Sequence, residues 1–238
     1  MKKKISTLII IIGLIIILYP KVEETYNNYE QEKLIKYWEE NMSSIDSDVN
    51  ALEEDKENLL GENDTIIHDK TLNNEIDLEI SNEKEIREEK KRKEEERNLR
   101  QVYIDEHMEG MLKIDKINLY LPILTDATKE NLKISVSSIK NTGKTGQIGN
   151  YAIAGHRSKT YGRNFNRLDE LTEGDYIKVF HKSKEYVYIV TEKLLVKPNE
   201  VWVLSGNGND KEITLITCDP MINPTHRLII KGMIIKEE

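Results

Sequence analysis

K-E-I-T-L-I-T-C-D-P-M-I-N-P-T-H-R-L-I-I-K, residues Lys211 to Lys231, decides how this chain is read. Ile213-Thr214-Leu215-Ile216-Thr217 is an alternating apolar run of the kind that forms a strand. A proline-containing loop follows, and His226-Arg227-Leu228-Ile229-Ile230 resumes the strand pattern. The segment reads as strand, loop, strand, with Cys218 at the end of one strand and Arg227 at the start of the next. A thiolate is a strong nucleophile, but an ordinary thiol is mostly protonated at neutral pH. A proton carrier is therefore needed. His156, closing the small-apolar strand N-Y-A-I-A-G-H-R, is the best candidate. A fixed arginine such as Arg227 would stabilise an oxyanion or the thiolate. Spacing alone leaves a second reading open, in which Cys218 is one more small buried hydrophobe.

Working outward, the rest of the C-terminal half supplies short strands between turns. Met111 to Tyr120 alternates and reads as one strand, ended or bent at Leu121-Pro122-Ile123, because proline cannot donate to a ladder. Asp126 to Ser138 fits a short helix with Thr128 as its cap and Leu132, Ile134 and Val136 near its core side. Asn141 to Gly146 is a turn-rich loop without phosphate-loop spacing. Ile148 to Gly155 is the strand that delivers His156. Arg157 to Asn166 is a polar rim loop, with Phe165 and Leu168 packing beneath it. Tyr176 to Phe180 and Glu185 to Val190 form a hairpin about Lys182-Ser183-Lys184. Lys193 to Leu204 is a longer connection with strand-like ends, and Gly206 to Asp210 is a turn. Many short strands with regular turns and few helices indicate a closed or nearly closed β structure.

The motif set T-L-I-T-C, an arginine nine residues after the cysteine in H-R-L-I-I-K-G, and A-G-H upstream resembles the sortases, membrane-bound cysteine transpeptidases of Gram-positive cell surfaces. The resemblance covers roughly residues 108 to 236. It implies an eight-stranded sortase-type β-barrel with short helices, and His156, Cys218 and Arg227 as the catalytic three. It implies a mechanism as well. Cys218 attacks the Thr carbonyl of a C-terminal Leu-Pro-x-Thr-Gly-like sorting motif, leaving a thioacyl-enzyme that an amine of the cell wall resolves. His156 protonates the leaving glycine amine and later acts as base. The backbone of Thr217 would help form the oxyanion hole, although its side chain faces away from Cys218 on an ideal strand. The Lys193 to Leu204 connection would form the Leu-Pro pocket, with Leu195, Val196 and Val201 as candidates. The short step from Cys218 to Arg227 is similar to classes C and D. Residues 21 to 121 lack proline, hence also the Asp-Pro-aromatic lid motif of class C. Neither does a further membrane segment follow Lys231, so a class D-like or class A-like anchoring role is expected over pilin polymerisation. No cofactor or metal is expected. Residues 131 to 155 contain no Asp or Glu, so the calcium site of some class A-like sortases is not carried over.

Charge divides the chain. Of its 238 residues, those from 21 to 100 carry 25 acidic and 13 basic side chains, whereas those from 101 onward carry 18 and 19. Nothing in the second part forms a basic nucleic-acid face. Cys218 is the only cysteine, which excludes an internal disulfide. Met1-Lys2-Lys3-Lys4 precedes an uncharged run, Ile5 to Tyr19, shorter than the roughly 20 residues of a full span. No small-residue cleavage site follows it, which favours an uncleaved signal-anchor over a cleaved signal. The lysines place the N-terminus inside and the remainder outside. The expected layout is an anchor at 1–20, an acidic helical or coiled-coil stalk at 21–105 and a catalytic domain at 106–238. In the stalk, Ile35, Trp38, Met42, Ile45, Val49, Leu52, Lys56 and Leu59 recur at three- and four-residue steps, the seam of a coiled coil broken at Lys56. The stalk is then either a solvated spacer or a self-associating rod. Of the other histidines, His68 and His107 read as solvent-exposed, and His226 should face away from Arg227. Three other readings remain: a pilin-polymerising sortase, a hydrolytic cysteine peptidase that shares the thioacyl step, and a bitopic coiled-coil scaffold without catalysis.

Overall fold

The structure is a computed structural model that describes the backbone of residues 2–57 and 72–237, with side chains for 12, 13, 15–40, 86–99 and 101–237. Two compact units are present. One contains residues 1–36 and 107–238, the other residues 37–106. The second unit is built from parts of two helices, α1 (Lys2–Glu57) and α2 (Leu72–His107). Within it the rings of Tyr37 and Tyr103 meet edge to face, 6.0 Å apart. Exposed Lys–Glu pairs one turn apart, such as Lys93 with Glu89 at 2.8 Å, line α2 as its mixed-charge sequence requires. The expected coiled-coil seam from Met42 onward falls outside the residues whose side chains are described, as does His68.

The first unit is a closed barrel of eight strands among the described residues. They are β1 (Met108–Ile114), β2 (Leu119–Leu124), β3 (Val136–Ser138), β4 (Gly149–Ala154), β5 (Tyr176–His181), β6 (Lys184–Val196), β7 (Lys211–Asp219) and β8 (His226–Glu237). Their spatial order is β1-β2-β3-β4-β7-β8-β6-β5, with β5 returning to β1. β4 and β7 run parallel, and β7 and β8 antiparallel. Closure removes every exposed sheet edge, the usual liability of a β domain.

Period-two alternation fills the interior. Leu112 and Ile114, Ile177 and Val179, Ile213 and Leu215, and Ile230 project inward and are fully buried. Each such side chain contributes about 2 kcal/mol by leaving water. Tyr151 and Tyr188 are also buried, with polar ends satisfied. Tyr151 donates to Glu109 at 2.8 Å, and the Tyr188 hydroxyl accepts from the Gly146 amide at 3.1 Å. Burial pushes the Tyr188 phenol up to about 12.

Two expectations need correction. Met111 to Tyr120 is not one strand. The chain turns through a 3-10 segment, Asp115–Ile117, and Asn118 in the left-handed region (φ 51, ψ 47), so that β2 pairs back on β1. Asparagine tolerates that conformation, whereas the alternating pattern around it cannot signal it. β2 then runs through Pro122 instead of ending there. The expected helix over 126–138 is confined to α3 (Lys129–Ile134), and Val136–Ser138 is a strand linking β2 to β4. Thr128 caps α3 as expected, its hydroxyl accepting from the Asn131 amide at 3.1 Å.

No helix among the described residues is long and apolar enough to cross a membrane. Most side chains of the expected anchor, residues 1–11 and 14, lie outside the described residues.

Candidate active site

Three neighbouring strands assemble the candidate residues. β4 and β7 pair in register up to Ala154 and Ile216. The Gly155 amide continues the ladder to the Ile216 carbonyl at 3.0 Å. The buried Thr217 hydroxyl donates to the Gly155 carbonyl at 2.8 Å. His156 is the next residue, and the same register, continued, would set it opposite Cys218. On the other side of β7, Cys218 and Arg227 are direct cross-strand partners. Residues opposed in this way carry side chains on the same face. His156, Cys218 and Arg227 thus lie at the same end of β4, β7 and β8, although Cys218 is 62 residues from His156 in the chain.

Alternation assigns the faces. Ile213 and Leu215 of β7 and Leu228 and Ile230 of β8 join the interior. Ile216 and Ile229 join a smaller outer cluster with Val196, Val203, Leu194 and Leu204. Cys218 and Arg227 share the parity of that outer face, and His226 does not. Val196 is buried and pairs with Arg227 across β6 and β8. Leu195 and Val201 are exposed beside it. Thr217, buried at 2 % exposure, spends its hydroxyl on fixing β4 to β7 and does not reach the outer face.

Charged side chains of both signs surround the site. Cys218 is a half-buried free thiol, and Arg227 donates to the His226 carbonyl at 3.0 Å. Although His156 is exposed at one edge, partial desolvation by the atoms around it lowers its pKa, and the nearby positive charge of Arg163 adds to the effect. Arg157 forms ion pairs with Asp219, the residue after Cys218, and with Asp169 at 2.9 Å. The motif reading passed over Arg157, Asp219 and Arg163. The signal for the first two was adjacency: one basic and one acidic residue, each immediately following a candidate catalytic group.

The Sortase domain family model matches residues 112–235, more than half of the chain. The chain belongs to the sortase family. It is 35 % identical over 123 residues to "Sortase A" of Bacillus anthracis, a match covering 52 % of this chain and 58 % of that protein. It is 37 % identical over 87 residues to "Putative sortase YwpE" of Bacillus subtilis, covering 37 % of this chain and 84 % of that one. Among solved structures, sortase C1 from Streptococcus agalactiae superposes with a TM-score of 0.53 at 29 % identity, covering 55 % of this chain and 68 % of that chain. The chain thus spans a little over half the length of the Bacillus anthracis relative. Sortases are cysteine transpeptidases, and the eight-stranded barrel expected from the motifs is the fold observed.

In this sortase-family chain a cavity of about 240 Å³ lies beside His156. One wall is His156, Ser158, Arg163, Asn164 and Lys133; the other is Pro20, Glu23, Glu24 and Asn27 of α1. Charge holds the helix there. Glu23 pairs with Lys133 at 2.6 Å and Glu24 with Arg163 at 2.9 Å. Gln31 donates to the Ile134 carbonyl at 2.7 Å. The pair with Glu23 raises the pKa of Lys133. The first turns after residue 20 thus line the cavity beside His156.

Proposed function

We propose that this chain is a membrane-anchored sortase that cleaves a Leu-Pro-x-Thr-Gly-like sorting motif between Thr and Gly. In this reading the Cys218 thiolate attacks the Thr carbonyl. Arg227 steadies the oxyanion, and His156 delivers a proton to the departing glycine amine. The thioacyl-enzyme then passes the protein to an amine of the cell wall, with His156 taking that amine's proton. The substrates are secreted proteins bearing the motif, and the acceptor is a cell-wall precursor or a comparable amine. One observation carries the reading: the direct pairing of Cys218 with Arg227 across β7 and β8, with His156 two residues past the end of the neighbouring β4. The outer apolar cluster at Val196 supports placing the Leu-Pro part of the motif there, with exposed Val201 at its edge.

The same proposal puts residues 1–20 in the membrane, residues 106–238 outside it as the catalytic domain, and residues 21–105 between them. It is supported by the three lysines before the uncharged run and by the exposure of Ile12, Ile15, Ile16, Ile17 and Leu18. Protease protection of the full chain in membranes tests it; digestion of the N-terminal lysines instead of the barrel would refute the orientation.

The test of the reaction compares the full chain with its Cys218→Ala variant on quenched Leu-Pro-x-Thr-Gly peptides, with and without an added amine, products being read by mass. The expected result is Cys218-dependent release of glycine and an amine-joined product. Cysteine-dependent formation of the free acid alone, across a panel of amines, would favour a hydrolytic peptidase. Equal activity in both proteins would sink the catalytic reading and leave the scaffold.

A further inference from the structure

Beyond Gly155 and Thr217, no backbone rung among the described residues ties the end of β4 to the end of β7. The next connection is made by side chains. The Arg157 side chain, 10 % exposed, reaches from the residue after His156 to the carboxylate of the residue after Cys218. Its second arm holds Asp169, at 2.9 Å, in the 3-10 turn Leu168–Glu170. The Arg157 backbone bridges to Asn164, and the Phe165 amide donates to the His156 carbonyl at 3.1 Å, so both ends of the rim loop are fixed around this one side chain. A rigid fork that grips two carboxylates fixes orientation in a way a flexible ammonium does not. The pair with Asp219 also offsets the negative charge carried by the residue next to Cys218 in the chain, which would otherwise oppose a thiolate nearby.

We infer that Arg157 is a positioning residue for the reaction, which locks His156 against Cys218 through Asp219 and neutralises that carboxylate. The inference rests on the proposed roles of His156 and Cys218. Such a clamp acts on the chemical step more than on capture of the peptide, because misplacement of a reacting group by about 1 Å costs roughly a hundredfold.

The experiment measures kcat and KM for peptide transfer and the rate of Cys218 alkylation by iodoacetamide. The proteins are the full chain and its Arg157→Met, Arg157→Lys, Asp219→Asn and Arg157→Met/Asp219→Asn variants, each checked by thermal melting. The expected loss for Arg157→Met is roughly ten- to a hundredfold in kcat with KM within about twofold, together with slower alkylation. Arg157→Lys should recover part of the loss. The double variant should be no slower than Arg157→Met, since both changes break one link. Full activity in Arg157→Met, or losses that multiply in the double variant, would overturn the clamp while leaving the catalytic reading intact. Absence of Cys218-dependent transfer in the unaltered chain would overturn both. If Arg157→Met does not fold, Asp219→Asn decides: unchanged kcat and alkylation in that variant refute the clamp.

Discussion

At the scale of single residues, His156 carries the clearest pH signature. Its pKa is lowered, first by desolvation and then by Arg163, so the folded protein holds a proton there less readily than the unfolded chain. Protonation therefore opposes folding. Relative to a His156→Gln variant, the natural protein should lose stability as pH falls below the ordinary histidine value of 6.5, with the penalty complete below the folded pKa. Urea midpoints for the two proteins at pH 8 and pH 5 check this, and a gap that does not change with pH contradicts it. Arg163→Gln should move the His156 titration upward, as followed by the imidazole C2 proton resonance. As candidates, His156, Cys218 and Arg227 were legible in the sequence, because each closes or opens an apolar strand run. Arg157 and Asp219 were visible only as neighbours. Their ion pair depends on which strand lies beside which, and the order of β4 and β7 in the barrel leaves no mark in local periodicity.

At the scale of elements, two contacts decide whether the barrel presents the site. Thr217 ties the end of β7 to Gly155, just past β4, by its side chain. Thr217→Val removes the hydroxyl and leaves the Gly155 carbonyl without that buried donor, a cost of about 1–3 kcal/mol. Its melting temperature should fall, and kcat should fall with it, because the freed segment is the one that carries His156. An unchanged kcat would show that the tie is structural only. Gly110 makes the second contact. It sits at positive φ (150) where β1 changes register, and a Cβ there would collide with the Phe180 carbonyl of β5. Gly110→Ala should destabilise the barrel by roughly 3 kcal/mol or more, read from denaturant unfolding. Sequence reasoning found most strands from alternation and turn residues. It missed the break at Asn118 and the strand at Val136–Ser138. In the first case the apolar rhythm continues through the turn. In the second, three residues are too few to show a period, and their pairing with β2 and β4 is wholly tertiary.

At the scale of the whole molecule, composition separated an acidic helical region from a β domain, but it could not foretell that α1 would line the cavity beside His156. Acidic residues in a spacer look alike whether they face water or a lysine 110 positions away. The contacts of Glu23 with Lys133 and Glu24 with Arg163 close one side of the cavity beside His156. Both glutamates are about a third exposed, at 34 % and 38 %, so water and salt reach the pairs easily. Exposed pairs of this kind are weak and fade as the Debye length shrinks from about 10 Å at 0.1 M salt toward 3 Å at 1 M. The helix should therefore act as a soft obstruction, displaced by ionic strength or by loss of its charges. Glu23→Gln/Glu24→Gln should raise kcat/KM for a sorting-motif peptide about two- to fivefold at low salt, with kcat for bound peptide little changed. Added salt should lift the natural protein toward the variant and leave the variant flat. An anionic or cationic peptide would respond to salt in its own right, so the comparison needs a neutral one. Parallel salt curves for the two proteins would mean that the acidic turns merely rest on the rim and do not compete with substrate.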